Sequence, residues 1–326
     1  MKRILILRTD RLGDMVLTLP MAAVIGKHLP EAKVIFGIRD YTRPLVECSP
    51  DVDEIAIIDP NLPASEIAKT IRAVKADALF IPSPSFRLVL AGLLSRTPIR
   101  VGTGYRWYSF LFNRKVYDHR KTAEHNEAEY NIRMLRAIGV DINDYPLPTL
   151  VIPTYNNTLF NPYAVLHVFT GGSANSWSVE RFKEVAAWLY MEKGLEIVFT
   201  GENKHREFLL TVAAQLKPFG VIVHIHTQLT LIELAGVLQG ASLVVSGSTG
   251  PGHLAAALGV PTIGLFQRAT AFSKERWGFR GKNVINLEPS SLLRDECPAC
   301  KDCDCITSIL TNQVIHAAKQ LTNHEQ

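Results

Sequence analysis

Ile4-Leu5-Ile6-Leu7-Arg8-Thr9-Asp10-Arg11-Leu12-Gly13-Asp14-Met15-Val16 opens the chain and decides how the rest is read. Four consecutive apolar residues leave no in-out alternation, so Lys2–Leu7 predicts a strand buried on both faces. A polar loop follows, and apolar residues then recur at helical spacing over Met15–Lys27. Strand, loop and helix in that order form the first half of a parallel crossover unit. The rhythm continues outward, with strands expected at Lys33–Gly37, Glu54–Ile58 and Ala78–Ile81 and a helix at Pro63–Val74.

The alternation restarts in the second half. Strands are predicted at Tyr163–Phe169, Glu196–Thr200, Val221–Ile225, Leu243–Ser246 and Thr262–Leu265, with helices at Val179–Lys193, Lys204–Leu216, Leu231–Leu238 and His253–Leu258. Between the halves, Asp141–Thr158 breaks the pattern with Pro146, Pro148, Pro153 and Asn156-Asn157, a linker composition. A length of 326 residues suits two domains better than one. The expected organisation is residues 1–150 as a first Rossmann-like domain, 151–162 as linker, 163–305 as a second such domain and 306–326 as a C-terminal helix. The fold class is therefore α/β, two doubly wound domains facing across a cleft, with ligands at the carboxyl ends of strands.

Composition narrows the class further. With 47% hydrophobic and 20% charged residues, the chain has material for two ordinary cores. No apolar run approaches the roughly 18 residues of a membrane helix. The apolar run after Met-Lys-Arg meets Arg8 at once, too soon for a signal peptide. The expected location is cytoplasmic. The net charge of +4 falls in the first domain, where 21 Lys and Arg face 17 Asp and Glu.

Asp14 follows Gly13 at the helix start, where it either caps the helix or presents a carboxylate that takes a proton from an attacking hydroxyl. No G-x-G-x-x-G follows the first strand, which argues against a nicotinamide dehydrogenase. The second informative stretch is Ser246-Gly247-Ser248-Thr249-Gly250-Pro251-Gly252-His253-Leu254-Ala255-Ala256-Ala257-Leu258-Gly259-Val260-Pro261. A strand runs through glycines and hydroxyls into a small-residue helix, and the free N–H groups of such a loop suit a phosphate. Ser248 and Thr249 add hydroxyls, Gly250 permits close backbone approach, and His253 either ties the loop down or touches the ligand.

Together, Arg8–Pro20 and Ser246–Pro261 resemble glycosyltransferase family 9, the ADP-heptose:lipopolysaccharide heptosyltransferases. The resemblance continues through Leu265-Phe266 to Trp277-Gly278 and implies a two-domain GT-B architecture with metal-independent, inverting chemistry. It makes Asp14 the catalytic base. It places a donor nucleotide sugar, ADP-heptose, on Gly171, Ser173, Asn175, Glu202, Ser248, Thr249, Gly250 and His253. In the family a lysine in the loop before Trp177 neutralises the diphosphate; here Asn175 stands in its place, and the alternatives for that role are hydroxyls with backbone amides, or Arg268 or Lys204. Glu202 either binds ribose or starts a helix, and Trp177 reads as packing.

Seven basic residues lie between Arg96 and Lys121, opposed only by Asp118 and interleaved with Tyr105, Trp107, Tyr108, Phe110 and Phe112. This suits an acidic lipopolysaccharide or lipid A-type acceptor, or an anionic membrane surface, as well as a solvated loop. No nucleic-acid module is present. The acceptor side is thus expected at Arg11, Gly13, Arg106, Arg114, Lys115, Arg120 and Lys121. The resemblance adds His125, with Glu129. Near the end, Cys297, Cys300, Cys303 and Cys305 have spacing that could hold a structural zinc or iron, or remain as thiols or disulfides. Rival functions are a protein O-heptosyltransferase, a nucleotide-sugar epimerase, and a catalytically silent nucleotide-sugar-binding protein.

Overall fold

A computed structural model describes residues 1–155, 159, 161–170, 175–289 and 305–322. The chain divides into two compact units, one of Met1–Arg120 and Glu127–Val151, the other of Lys121–Asn126 and Ile152–Gln326.

The first unit carries strands β1 Arg3–Arg8, β2 Lys33–Ile38, β3 Glu54–Ile57, β4 Ala78–Phe80, β5 Ile99–Thr103 and β6 Arg114–Val116. Its helices are α1 Leu12–Val16, α2 Pro20–His28, α3 Arg43–Val46, α4 Ala64–Val74, α5 Phe86–Leu94 and α6 Glu127–Arg133. All strand pairs are parallel, in the order β3-β2-β1-β4-β5-β6. Ile6 lies in register between Phe36 and Phe80 at the sheet centre. Leu5 and Leu7 pack on one face with Ile67 and Ile71 of α4 and Leu88 of α5. Ile4 and Ile6, on the other face, are fully buried. Each such side chain contributes roughly 1.5–3 kcal/mol by leaving water, which explains the unbroken apolar run.

The helix expected over Met15–Lys27 is in fact two. Pro20 has no N–H to donate, and its ring excludes the carbonyl four residues back, so α1 ends at Val16 and α2 begins at Pro20. Thr18 in the break returns its hydroxyl to the Asp14 carbonyl at 2.7 Å. Strands β5 and β6 and helices α5 and α6 were absent from the sequence expectation. β6 is a three-residue edge strand, Arg-Lys-Val, with no apolar run to announce it.

The second unit repeats the plan with β7 Tyr163–His167, β8 Glu196–Thr200, β9 Val223–His226, β10 Leu243–Gly247, β11 Thr262–Leu265 and β12 Val284–Leu287. Its helices are α7 Val179–Lys193, α8 Arg206–Leu216, α9 Leu231–Gln239, α10 Gly250–Ala257, α11 Lys274–Trp277 and α12 Thr311–Thr322. The order β12-β11-β10-β7-β8-β9 is the same doubly wound topology. α10 begins at Gly250, three residues before the expected start, because Pro251 is pre-organised for a first helical turn. Thr230 and Glu233 form a capping box that starts α9. Val314, Ala317 and Ala318 of α12 join the core that contains Ile263 and Leu265, so the last helix belongs to this unit's packing. In each sheet the strand order reverses beside the first strand, which marks the loops after β1, β7 and β10 as ligand positions.

Candidate active site

Arg8 is the last residue of β1, and its side chain is 2% exposed. Three carboxylates converge on it: Asp14 at 2.5 Å, Asp10 at 3.6 Å and Glu127 at 3.7 Å. Burial opposes the guanidinium charge, but the three acids outweigh it and hold the group above the usual arginine range. Glu127, itself 2% exposed, also pairs with Arg120. Arg120 donates to Asn131 at 3.1 Å, and Asn131 donates to Thr18 Oγ1 at 3.1 Å and the Leu17 carbonyl at 3.2 Å. Thr18 bonds the Asp14 carbonyl, so the ring of contacts closes on the residue where it began.

Asp14 lies in the first turn of α1. Arg11 occupies the N-cap position and makes no side-chain cap bond. Asp14 is thus the first-turn acid of α1 rather than its N-cap. Its carboxylate is 18% exposed and is held by a buried cation. Such a group can accept a proton from a hydroxyl without leaving its position.

The residues expected on the acceptor side separate into two sets. Gly13 is buried within α1 beside Asp14, and Arg120 belongs to the buried network. Arg11, Arg106, Arg114, Lys115 and Lys121 are exposed, and His125 is half-buried. Arg114 and Lys115 sit on edge strand β6, paired with Val101 and Gly102. Arg100 is structural: its guanidinium donates to the Thr97 carbonyl at 2.8 Å and the Leu111 carbonyl at 3.2 Å. Glu129 is half-buried, whereas Glu127 two residues earlier reaches the site. A small pocket lined by Pro82, Thr103, Val116, Asp118, Arg120, Tyr130 and Met134 opens at the carboxyl ends of β4, β5 and β6.

In the second unit β10 delivers Ser248 and Thr249 to the start of α10. Ser246 Oγ lies 3.0 Å from the Gly247 carbonyl and shares a 2.7 Å hydroxyl–hydroxyl hydrogen bond with Thr249 Oγ1. Ser248 is half-exposed, and Gly250 stands in the first turn. His253 is 4% exposed and lies edge-on to Phe279 at 4.8 Å. Its Nδ1 has no hydrogen-bond partner among the described residues. Burial pushes the imidazole down to about 3, so the ring is neutral at physiological pH. Gly252 is required by packing: a Cβ there would lie 2.1 Å from Phe279 Cζ.

Asn175 donates its backbone N–H to Gln267 Oε1 at 3.4 Å. Trp177 is 2% exposed and donates Nε1–H to the Ile309 carbonyl at 2.9 Å, which makes it a packing residue. Glu202 starts the helical turn at Asn203–His205 in a capping box with His205, and Lys204 bonds it at 2.8 Å and holds its carboxyl below the usual range. His205 stacks on Phe169 at 3.7 Å, and His167 bonds Thr200 at 2.9 Å at the carboxyl ends of β7 and β8. These aromatic groups carry no motif and escape a reading of the sequence, as does Glu127, whereas Arg8 opens the Arg8–Pro20 motif without a role being read for it.

Gly171 and Ser173 lie outside the described residues, as do Cys297, Cys300 and Cys303. Cys305 is buried at the start of a turn over Cys305–Ser308. Among the described residues no group of three or more His, Cys, Asp and Glu could hold a metal ion.

Residues 65–299 match glycosyltransferase family 9 (heptosyltransferase). Lipopolysaccharide heptosyltransferase 3 of Escherichia coli is 24% identical over 273 residues, 78% of this chain and 80% of the relative. Among solved structures, a family 9 glycosyl transferase from Veillonella parvula superposes with a TM-score of 0.83 at 22% identity, covering 99% of this chain and 98% of that one. The E. coli ADP-heptose lps heptosyltransferase II gives 0.80 at 18% identity, covering 100% and 99%. At these identities the structures show a shared two-domain Rossmann-like fold.

Proposed function

Since this chain belongs to glycosyltransferase family 9 and is a glycosyltransferase, we propose that it moves a heptose, with inversion, from ADP-heptose to an acidic inner-core lipopolysaccharide acceptor. The observation that carries the chemistry is the Asp14 carboxylate, partly open to solvent and fixed by buried Arg8. Asp14 takes the proton of the acceptor hydroxyl as its oxygen bonds the anomeric carbon. The bond from that carbon to the diphosphate breaks, and the electron pair leaves with ADP. Backbone N–H groups at the start of α10, with Ser248, stabilise the growing charge. Neutral His253 contributes shape and a polar nitrogen but no charge. The E. coli relatives named for heptose transfer support the choice of sugar.

The deciding assay follows ADP release from ADP-heptose with and without a heptose-free, Kdo-terminated lipopolysaccharide. ADP formation that needs the acceptor, with heptose found on the lipopolysaccharide, is the expected result. Turnover of donor without acceptor points to epimerase or hydrolase chemistry, binding without ADP release to a silent protein, and transfer only to polypeptide to a protein O-heptosyltransferase. The last three outcomes each overturn the proposal.

The acceptor is lipid-anchored in this scheme, and an anionic bilayer is the proposed partner of the aromatic loop before β6. Trp107 is 73% and Phe110 68% exposed, and Trp107 stacks on exposed Phe86 at 5.0 Å. Arg106 and Arg114 flank them in the chain and are also exposed. Among the described residues no helix is long and apolar enough to cross a membrane, so attachment would be peripheral. Co-sedimentation with phosphatidylethanolamine–phosphatidylglycerol vesicles, weakened by Trp107→Ser with Phe110→Ser, is expected. Equal recovery of both proteins with vesicles at low salt removes the membrane role.

A further inference from the structure

The proposed base and the four ion-paired side chains around it carry charges that do not balance. Asp10, Asp14 and Glu127 carry three negative charges against the two positive charges of Arg8 and Arg120. Arg8 and Glu127 are each 2% exposed, so water screens this imbalance weakly. One proton delivered to Asp14 brings the five to neutrality.

We propose that Glu127 is a positioning residue for glycosyl transfer, supplying the second carboxylate that holds Arg8 while Asp14 is protonated. The inference rests on Asp14 being the base, as proposed above. When the acceptor hydroxyl gives its proton to Asp14, the carboxylate becomes a neutral acid and its attraction for Arg8 collapses. A buried guanidinium left without an anion is costly. Glu127 prevents that, because it remains charged at 3.7 Å from Arg8 and is itself anchored by Arg120. Asp10, at 3.6 Å but 27% exposed, is a weaker second support. The geometry also fixes position: the contacts from Arg120 through Asn131 and Thr18 reach the Asp14 backbone, so one network holds both the charge and the turn that carries it. Without Glu127, a proton on Asp14 would leave Arg8 with Asp10 alone among its described ion-pair partners.

The test uses the full-length protein with ADP-heptose and Kdo-terminated lipopolysaccharide. Glu127→Gln is expected to lower kcat by roughly 10-fold to 10²-fold, less than loss of the base itself, and to leave the KM for donor unchanged. Asp14→Asn is measured beside it, and the double variant is expected to be no slower than Asp14→Asn alone, because Glu127 acts on transfer through Asp14. A wild-type kcat for Glu127→Gln, or a further tenfold fall in the double variant, overturns the inference. If Asp14→Asn itself keeps wild-type turnover, the base assignment fails instead, and the two failures are distinct. Should Glu127→Gln not fold, Glu127→Asp retains the charge while withdrawing it from Arg8. Its expected signature is a native melting temperature with lowered kcat, and a native kcat there overturns the inference equally.

Discussion

The guanidinium of Arg8 meets the carboxylate of Asp14 at 2.5 Å, at the point where the first strand gives way to the first helix. The pair joins a cation without access to water to an acid that has some. Asp14 thereby keeps a fixed orientation, and Arg8 keeps a counter-charge in a place where solvent supplies none.

Removing the acid tests its chemical role. Asp14→Ala is expected to lower kcat by roughly 10²–10⁴ with donor affinity nearly unchanged. Arg8 retains Asp10 and Glu127 as partners, so the variant should fold. ADP release and donor titration check the two parts separately.

Removing the cation tests stability. Arg8→Met leaves Asp10, Asp14 and Glu127 gathered around an uncharged side chain. Breaking a buried pair from one side costs about 3–5 kcal/mol. A denaturant midpoint within experimental error of wild type would show that the network carries no such energy.

The basic residues should behave as two kinds. Arg114→Ala with Lys115→Ala, both on the exposed edge strand β6, should raise the KM for acceptor most at low salt, where the Debye length exceeds about 10 Å. Arg120→Ala should lower kcat as well, since Arg120 holds Glu127. Identical kinetic profiles for the two variants would contradict this division.

Acid should destabilise the second unit through His253. The unfolded imidazole titrates near 6.5, while burial holds the folded one at about 3. Above pH 6.5 both forms are neutral and nothing is lost. Between about 6.5 and 3 the unfolded chain binds a proton that the native state refuses, so stability falls by about 1.4 kcal/mol per pH unit. Denaturation at pH 6.5 and 5.0 should show a loss in wild type that is smaller in His253→Gln by His253's share, the rest coming from other depressed histidines such as buried His167, held at about 4.

Gly252→Ala should destabilise by about 1–3 kcal/mol, because the added methyl meets the buried Phe279 ring. Calorimetry checks it, and an unchanged melting temperature would mean that the ring yields freely.

Much of this architecture is legible in local sequence. Ile4–Leu7 and Leu243–Val245 are runs of apolar residues that only strands buried on both faces can satisfy, and their spacing along the chain dictates two doubly wound sheets. Asp14 after Gly13, and the glycines and alanines of residues 247–257, mark both candidate half-sites because loop and helix-start chemistry depends on neighbours in the chain. Tertiary structure alone decided which groups complete them. Asn131 reaches Thr18 across 113 residues, and Glu127 reaches Arg8 across a comparable stretch. Neither belongs to a motif. Short edge strands such as β6 were invisible because their pairing comes from the sheet rather than from their own side chains. The hydroxyls of Ser246 and Thr249 meet at 2.7 Å, a pairing of buried groups that no spacing in the sequence encodes. Periodicity fixes which face of an element is apolar, whereas charge partners at a buried site are chosen by whatever distant segment the fold brings within hydrogen-bond reach.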